Sequence, residues 1–234
     1  LSSGAMTGWD GYWATGATDE RWLRVDPQVA SLSPRLWGQG KRRALDFGCG
    51  AGRHTVFLAG QGFQTYACDP SPQAVATCRR WLCQEGLKAR VKMAATNTVP
   101  YPNGYLHWAI AFNVVYHNTL TDMEALIRSL RRVIAKGGYL FLTLQSARNH
   151  KYGEGEEIEP GTFVNTRDAL EHERAVLHHY SDEAEVSRIA RGWEVVEAQE
   201  MVDGYSASGA PSTPGAKGSY HWYLLLRRPG PHPR

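Results

Sequence analysis

Apolar segments of strand length alternate with helix-length segments through the middle of the chain. The strand predictions cover residues 43–47, 63–68, 89–94, 108–115 and 139–144. The helix predictions cover residues 53–59, 72–85 and 121–134. Strands that alternate with helices form a parallel sheet with both faces covered, and right-handed crossovers make that sheet doubly wound. Ligands of such sheets bind beyond the carboxyl ends of the strands.

The segments on either side of this region have a different character. Residues 1–40 are rich in aromatic side chains, and Asp26-Pro27 predicts the first turn of a helix there, with Ser33-Pro34 as a break. Residues 146–182 carry many glutamates and histidines and interrupt the alternation. Beyond them, Ser181 is the predicted N-cap of a helix over 181–191.

Two further strands, over 193–201 and 220–227, complete the predicted sheet. The expected organisation is an N-terminal segment (1–40), a domain (41–228) that contains an insertion (146–182), and a tail (229–234).

Composition narrows the class of protein. The 234 residues, 42% of them hydrophobic and 21% charged, suit one α/β domain. The longest apolar runs, such as 108–112 and 222–226, are too short to cross a bilayer. The net charge of +3 comes from scattered basic residues, so we expect neither a nucleic-acid nor a membrane partner. Oligomeric state has no sequence signal.

Cysteine usage and the first residues bear on metal binding and location. The four cysteines show no CxxC spacing, so no metal site is expected. Residues 1–10 lack the basic and apolar regions of a signal peptide. Reduced thiols and a cytoplasmic location are the expectation.

Three glycines follow the first predicted strand. Gly48, Gly50 and Gly52 allow a tight turn whose bare main chain approaches a ligand at the start of a helix. Their GxGxG spacing differs from the GxGxxG of dinucleotide sites, because Arg53 stands where the third glycine would fall. A plain tight turn is the alternative.

Asp69 closes the second predicted strand, 17 residues after Gly52. A carboxylate at this strand end lies on the same sheet edge as the glycine loop and can accept hydrogen bonds from both hydroxyls of a ribose. Together the two features predict an adenosine-type ligand. Capping of the next helix, before Pro70, is the alternative role for Asp69.

These motifs resemble those of class I S-adenosylmethionine-dependent methyltransferases, in the small-molecule branch that includes tellurite-resistance and ubiquinone-biosynthesis enzymes. The resemblance rests on residues 45–54, 66–71 and 130–140. It implies a Rossmann-like sheet of seven strands, the last antiparallel and beside the sixth, and S-adenosylmethionine as cofactor. The cofactor-binding residues it implies are Gly48, Cys49, Gly50, Asp69, Pro70, Ala95, Thr96, Asn113 and, from a covering N-terminal segment, Trp13.

The chain departs from the family pattern at two places. Ala95 stands where an acidic residue usually binds the adenine amino group, so a backbone carbonyl, Thr96 or Asn97 is expected to take that part. Leu106-His107 replaces the Phe-Asp pair that usually opens the fourth strand.

Candidate catalytic residues lie at the end of the fourth strand. His117 is a candidate general base because imidazole titrates near neutral pH, and Tyr116 is expected to face the acceptor beside it. A capping or packing role for His117 is the alternative.

The insertion after the fifth strand is the expected acceptor lid. Its predicted acceptor-facing residues are His150, His178, His179 and Tyr180. Its mixed histidines and glutamates suit a metal as a ligand set, but a solvated acidic loop is favoured for the glutamates.

The sequence therefore predicts a methyltransferase that uses S-adenosylmethionine and acts on an unidentified small molecule. The alternatives are a nicotinamide-dependent oxidoreductase, which the glycine spacing disfavours, and a cofactor-binding protein of the same fold without catalysis, which Ala95 keeps open.

Overall fold

The structure is a computed structural model that describes residues 3–14, 20–95, 98–165, 173–202 and 218–230. Its helices are α1 (Ser3–Ala14), α2 (Pro27–Gly38), α3 (Arg53–Gly60), α4 (Pro72–Gln84), α5 (Leu120–Val133) and α6 (Glu183–Ile189), with a 3-10 turn at Glu20–Trp22. Its strands are β1 (Arg43–Phe47), β2 (Gln64–Asp69), β3 (Arg90–Met93), β4 (Leu106–Ala111), β5 (Ile134–Ser146), β6 (Glu156–Glu159), β7 (Thr162–Val164), β8 (Leu177–Ser181), β9 (Glu194–Val202) and β10 (Tyr220–Arg227).

The central sheet has the order β3-β2-β1-β4-β5-β10-β9. The first five strands are parallel, and β10 is antiparallel to both of its neighbours. The predicted doubly wound α/β fold with an antiparallel last strand is therefore confirmed.

The described sheet contains ten strands rather than seven, because the insertion contributes three. Strand β8 extends the end of β5 through only two residue pairs, Gln145–Tyr180 and Ser146–Ser181. Strands β7 and β6 then follow in antiparallel order. The insertion is thus a small β-structure built onto the carboxyl edge of the sheet, where ligands of this fold bind.

Alternate residues of the buried strands pack into cores on opposite faces of the sheet. Leu45 and Phe47 of β1 join the core that includes α5 and α6. Ala44 joins the core beneath α2, which also includes Leu58 of α3. The parallel strands are buried on both faces, as near-continuous apolar runs predict.

Helix α2 begins as predicted but does not break at Pro34. Asp26 caps it by accepting hydrogen bonds from the main-chain N–H groups of Gln28 and Val29. Pro34 lies on the exposed face, while Val29 and Leu36 of the opposite face are fully buried. Burial of that apolar face outweighs the one lost main-chain hydrogen bond.

Two other boundaries differ from the predictions. Strand β4 ends at Ala111, so Asn113 lies in the turn beyond it rather than in the strand. Helix α6 is capped by Asp182, which accepts from the Glu185 N–H, because Ser181 belongs to β8. None of the helices in the described ranges combines the length and apolar character needed to span a bilayer.

Candidate active site

A cleft lies at the carboxyl ends of β1, β2 and β4, between the sheet edge and α1. The space between its walls, measured out to open solvent, is about 980 Å³. Eight of the residues predicted from sequence line it: Trp13, Gly48, Cys49, Gly50, Asp69, Pro70, Asn113 and His117.

The glycine loop forms the floor of this cleft. Gly48, Gly50 and Gly52 have φ angles of 69°, 53° and 102°, which L side chains rarely adopt. A Cβ atom added to Gly48 would lie 2.4 Å from a Val114 side-chain carbon. A Cβ atom added to Gly52 would lie 2.6 Å from the Cys78 sulfur. The loop therefore requires glycine for both its conformation and its close packing, beyond a plain tight turn.

Asp69 is oriented by the loop itself. One carboxylate oxygen accepts the Gly50 N–H at 2.9 Å and the other accepts the Ser71 N–H at 2.9 Å. Burial raises the pKa of Asp69 to about 6, although these two hydrogen bonds act to lower it. Each oxygen keeps a further lone pair for a donor in the cleft.

Aromatic side chains of the N-terminal segment cover the loop. The Trp13 ring lies so close to Gly50 that a Cβ there would be 2.9 Å from it. Trp9 stacks on Trp13 with ring centroids 6.1 Å apart, and Trp22 meets Trp9 edge-on at 5.3 Å. This wall makes one side of the cleft apolar and excludes water from it.

Asn113 is held in an unusual main-chain conformation at the cleft. Its φ is 53°, which asparagine tolerates better than most residues. Thr143 fixes it twice, because the Thr143 hydroxyl accepts the Asn113 N–H at 2.8 Å and donates to the Asn113 side-chain oxygen at 2.9 Å. The side-chain amide is thereby oriented by a strand of the sheet.

His117 lines the cleft, but its environment disfavours the predicted role of general base. Burial lowers its pKa to about 3, and His178 adds to the effect. Its Nδ1 lies 3.2 Å from the Leu177 carbonyl oxygen, so Nδ1 carries the proton and Nε2 is unprotonated. A neutral ring with so low a pKa is a weak proton acceptor at neutral pH.

Tyr116 is not part of the cleft wall, contrary to the prediction. Its ring is 4% exposed and stacks on His178, with ring centroids 6.3 Å apart. Its carbonyl accepts the His179 N–H at 2.8 Å. The Tyr116 ring also contacts the His117 ring, with centroids 4.5 Å apart, so Tyr116 packs between His117 and the insertion.

The predicted acceptor-facing residues of the insertion lie in different environments. His178 packs edge-on against the His117 ring at 4.8 Å, and it lines a second cavity together with Tyr180. His150 is exposed and lines neither of these two spaces, so its contact with the acceptor stays a prediction. His179 is fully buried, with Nδ1 2.6 Å from the Thr162 hydroxyl and Nε2 2.8 Å from a Glu185 oxygen.

Both ring nitrogens of His179 are thus used by Thr162 and by Glu185 of α6, which leaves the ring no free polar atom for the predicted contact with the acceptor. Ala95 is exposed and does not line the cleft, so its contact with the cofactor stays a prediction. Thr96 and Asn97 lie outside the described residues.

Among the described residues, no three His, Cys, Asp or Glu side chains are grouped so that they would hold a metal ion.

Nine cleft residues were not among the predicted site residues: Trp9, Trp22, Ala51, Arg53, His54, Ser71, Phe112, Val114 and Val176. Arg53 lies with its guanidinium carbon 5.0 Å from the Phe112 ring centroid. Burial and the Arg53 charge hold the pKa of His54 well below its usual value. The position of Arg53 and His54 in the first turn after the glycine loop was the available signal.

Comparison with known proteins bears on the predicted family. Residues 44–138 match the family model described as a methyltransferase domain. This match supports a class I methyltransferase. The predicted resemblance is therefore confirmed, and the match begins in β1 and ends at the glycine turn within β5.

Curated relatives of this methyltransferase domain act on different acceptors. The chain is 29% identical over 100 residues to ribosomal RNA small subunit methyltransferase C of Idiomarina loihiensis, covering 43% of this chain and 29% of that protein. It is 28% identical over 104 residues to ajmaline N-methyltransferase of Rauvolfia serpentina, covering 43% and 35%. The chain thus matches about a third of the length of these relatives.

Solved structures share the fold of the methyltransferase domain. An S-adenosylmethionine-dependent methyltransferase from Methanosarcina mazei has a TM-score of 0.70 at 17% identity, covering 89% of this chain and all of that one. Magnesium protoporphyrin IX methyltransferase from Synechocystis, solved with bound S-adenosylmethionine, has a TM-score of 0.58 at 17% identity, covering 86% and 78%. Together with the family match, these structures support S-adenosylmethionine as the cofactor.

The cleft fits this cofactor on its own geometry. The glycine loop is bare main chain that a Cβ would fill, and the free lone pairs of Asp69 match the two hydroxyls of a ribose. Trp13 and Trp9 offer aromatic faces, which attract a cationic group such as a sulfonium.

Proposed function

We propose that this protein transfers a methyl group from S-adenosylmethionine to a small-molecule acceptor. The observation that carries the proposal is the orientation of Asp69, whose two oxygens are held by the Gly50 and Ser71 N–H groups at the edge of the cleft. A carboxylate fixed in this way is preorganised to accept a diol, since its rotamer is set before the ligand arrives.

The bound cofactor supplies a methyl group already activated on a sulfonium, so the protein's part is orientation and exclusion of water. Asp69 holds the ribose, and the loop at Gly48 and Gly50 gives room for the chain attached to it. Asn113 offers its fixed amide to the polar end of the cofactor. Trp9 and Trp13 keep the reacting groups dry.

The properties of His117 bear on the acceptor's chemistry. Because burial keeps its imidazole neutral, we propose that Nε2 accepts a hydrogen bond and orients the acceptor rather than removing a proton. The acceptor then reacts through a lone pair that is available at neutral pH.

The proposal of a small acceptor rests on the enclosure of the cleft. We propose that residues 1–40 cover the cofactor and that residues 146–182 form the acceptor lid of the 41–228 domain, with 229–234 as a tail. Trp9, Trp13 and Trp22 of the N-terminal segment narrow the cleft on one side. Val176 of the insertion borders it on the other side. We keep the cytoplasm as the proposed location, in line with four free cysteine thiols.

The test is product formation from S-adenosylmethionine. The full chain is incubated with the cofactor and pools of small amines, thiols, phenols and carboxylic acids, with total RNA as a separate arm, and S-adenosylhomocysteine is measured. We expect release with a small-molecule pool and none with RNA. Release with RNA alone contradicts the acceptor class, and tight binding of a nicotinamide cofactor without binding of S-adenosylhomocysteine contradicts the whole proposal.

A further inference from the structure

A second cavity lies inside the insertion, next to the cleft. It encloses about 340 Å³ measured out to open solvent. His178 lines this cavity and His117 lines the cleft, and their rings are in contact at 4.8 Å. The Phe163 and Tyr180 rings form its apolar wall. The two spaces are therefore neighbours across one pair of imidazoles.

Two polar atoms of residues that line this cavity make no hydrogen bond within the described part of the chain. Tyr180 is 4% exposed, and its hydroxyl makes no hydrogen bond to a described residue. His178 is 8% exposed, and its Nδ1 lies 3.1 Å from the Val176 carbonyl oxygen. Since Nδ1 donates to that carbonyl, Nε2 of the neutral ring is a free acceptor. Both atoms are therefore available to a ligand in the cavity.

The charges around the cavity favour a cation. Lys151 forms an ion pair of 2.9 Å with Glu173, while Glu154 adds a second carboxylate. Burial acts to raise the pKa of Glu173, but the charge and hydrogen bond of Lys151 outweigh it and lower that pKa, so Glu173 is ionised. Burial also lowers the pKa of His178 to about 4, which keeps that ring neutral. Two carboxylates thus face one ammonium group.

We propose that this cavity is a subsite that binds a protonated amine group of the methyl acceptor. The inference rests on the proposed function, because it treats the cavity as part of the acceptor site. An ammonium group carries three N–H donors, which suit Tyr180 Oη, His178 Nε2 and a carboxylate oxygen of Glu173. The faces of Phe163 and Tyr180 add attraction for a cation. A carboxylate ligand would meet excess negative charge instead.

The first experiment compares two probes that differ only in the charged group. Phenethylamine and 2-phenylethanol are titrated by calorimetry into the full chain saturated with S-adenosylhomocysteine. We expect phenethylamine to bind about tenfold or more tightly than the alcohol, the scale of one hydrogen bond to a charged group. Equal affinities, or tighter binding of the alcohol, overturn the proposal.

Variants assign the effect to this cavity. Glu173→Gln is expected to weaken phenethylamine binding about tenfold, and Tyr180→Phe to weaken it severalfold. Lys151→Met is expected to strengthen it, because the Glu173 carboxylate is then released from its ion pair. Glu156→Gln is the matched control, since Glu156 is an exposed insertion carboxylate that does not line the cavity. Equal effects of Glu173→Gln and Glu156→Gln overturn the proposal.

Failure of this inference and failure of the proposed function give different results. Each variant is also titrated with S-adenosylhomocysteine, and its thermal unfolding is recorded to show that it is folded. Normal cofactor affinity without selective amine binding rejects only the subsite. Absence of cofactor binding by the unaltered chain rejects the methyltransferase proposal, and the amine titration without cofactor then still decides what the cavity binds.

Discussion

Ser71 donates its hydroxyl proton to the Asp10 carboxylate at 2.5 Å, and this hydrogen bond joins α1 to the N-terminus of α4. Ser71 is also the N-cap of α4 and accepts the Ala74 N–H at 3.0 Å. Asp10 precedes Trp13 by one helical turn, and the Trp13 ring covers Gly50. The hydrogen bond therefore ties the aromatic cover of the cleft to the segment that follows Asp69.

Asp10→Ala should loosen this cover. Loss of a capping interaction costs about 0.5–2 kcal/mol, so α1 should dock less often and the affinity for S-adenosylhomocysteine should fall by up to about tenfold. Tryptophan emission should move to longer wavelength, because Trp9 and Trp13 become more exposed to water. Asp122→Ala is the control, since Asp122 accepts from the Thr119 hydroxyl at the start of a different helix, α5. An equal loss of affinity in both variants would show that the hydrogen bond has no special role.

Gly52→Ala should disrupt the floor of the cleft. The substitution forces a side chain into φ 102° and places a Cβ atom 2.6 Å from the Cys78 sulfur. Gly86→Ala is the matched control, since Gly86 also has a positive φ, 66°, but a Cβ there meets open space. We expect it to lower the free energy of unfolding by only about 1–2 kcal/mol. We expect Gly52→Ala to lower the midpoint of thermal unfolding further than Gly86→Ala and to abolish detectable cofactor binding. Similar unfolding midpoints would contradict the packing described here.

The His117 imidazole should stay neutral across the physiological range. An unperturbed histidine titrates near pH 6.5, whereas burial lowers the pKa of His117 to about 3. NMR titration of the ring, assigned by comparison with His117→Asn, should therefore show no protonation between pH 8 and about 5. A midpoint near 6.5 would restore the general-base role.

Cofactor affinity should depend on the ionisation of Asp69. Burial raises the pKa of this carboxyl to about 6, and the ionised form is the better acceptor for a diol. Binding should therefore strengthen as the pH rises to about 6 and level off above it. Below that pH the dissociation constant should increase by up to about tenfold per pH unit. Asp69→Asn, which cannot titrate, should show a much flatter profile, and an identical profile would assign the dependence to another group.

Local patterns were sufficient to predict the central sheet. The predicted bounds of β1 and β10 agree with the structure residue for residue, because buried apolar runs ended by glycine or proline leave little choice of register. The meeting of Asp69 with the glycine loop also followed from topology, since parallel strands end at one sheet edge.

The elements that were missed depend on contacts distant in sequence. Helix α1 contains Gly4, Gly8 and Gly11, which weaken an isolated helix, and it is fixed by the contact between Asp10 and Ser71. The roles of His178 and His179 are set by neighbours on other strands and by α6. No local pattern reveals that His179 meets Thr162 and Glu185 while His178 faces a cavity.

The central claim is that Asp69 holds the ribose of S-adenosylmethionine. Calorimetric titration of S-adenosylhomocysteine into the unaltered chain and into Asp69→Ala at pH 7.5 tests it, with Asp122→Ala as the control. We predict a loss of about 1.5–3 kcal/mol for Asp69→Ala alone, the scale of hydrogen bonds to a charged group. Unchanged affinity in Asp69→Ala, with the variant shown to be folded, would contradict it.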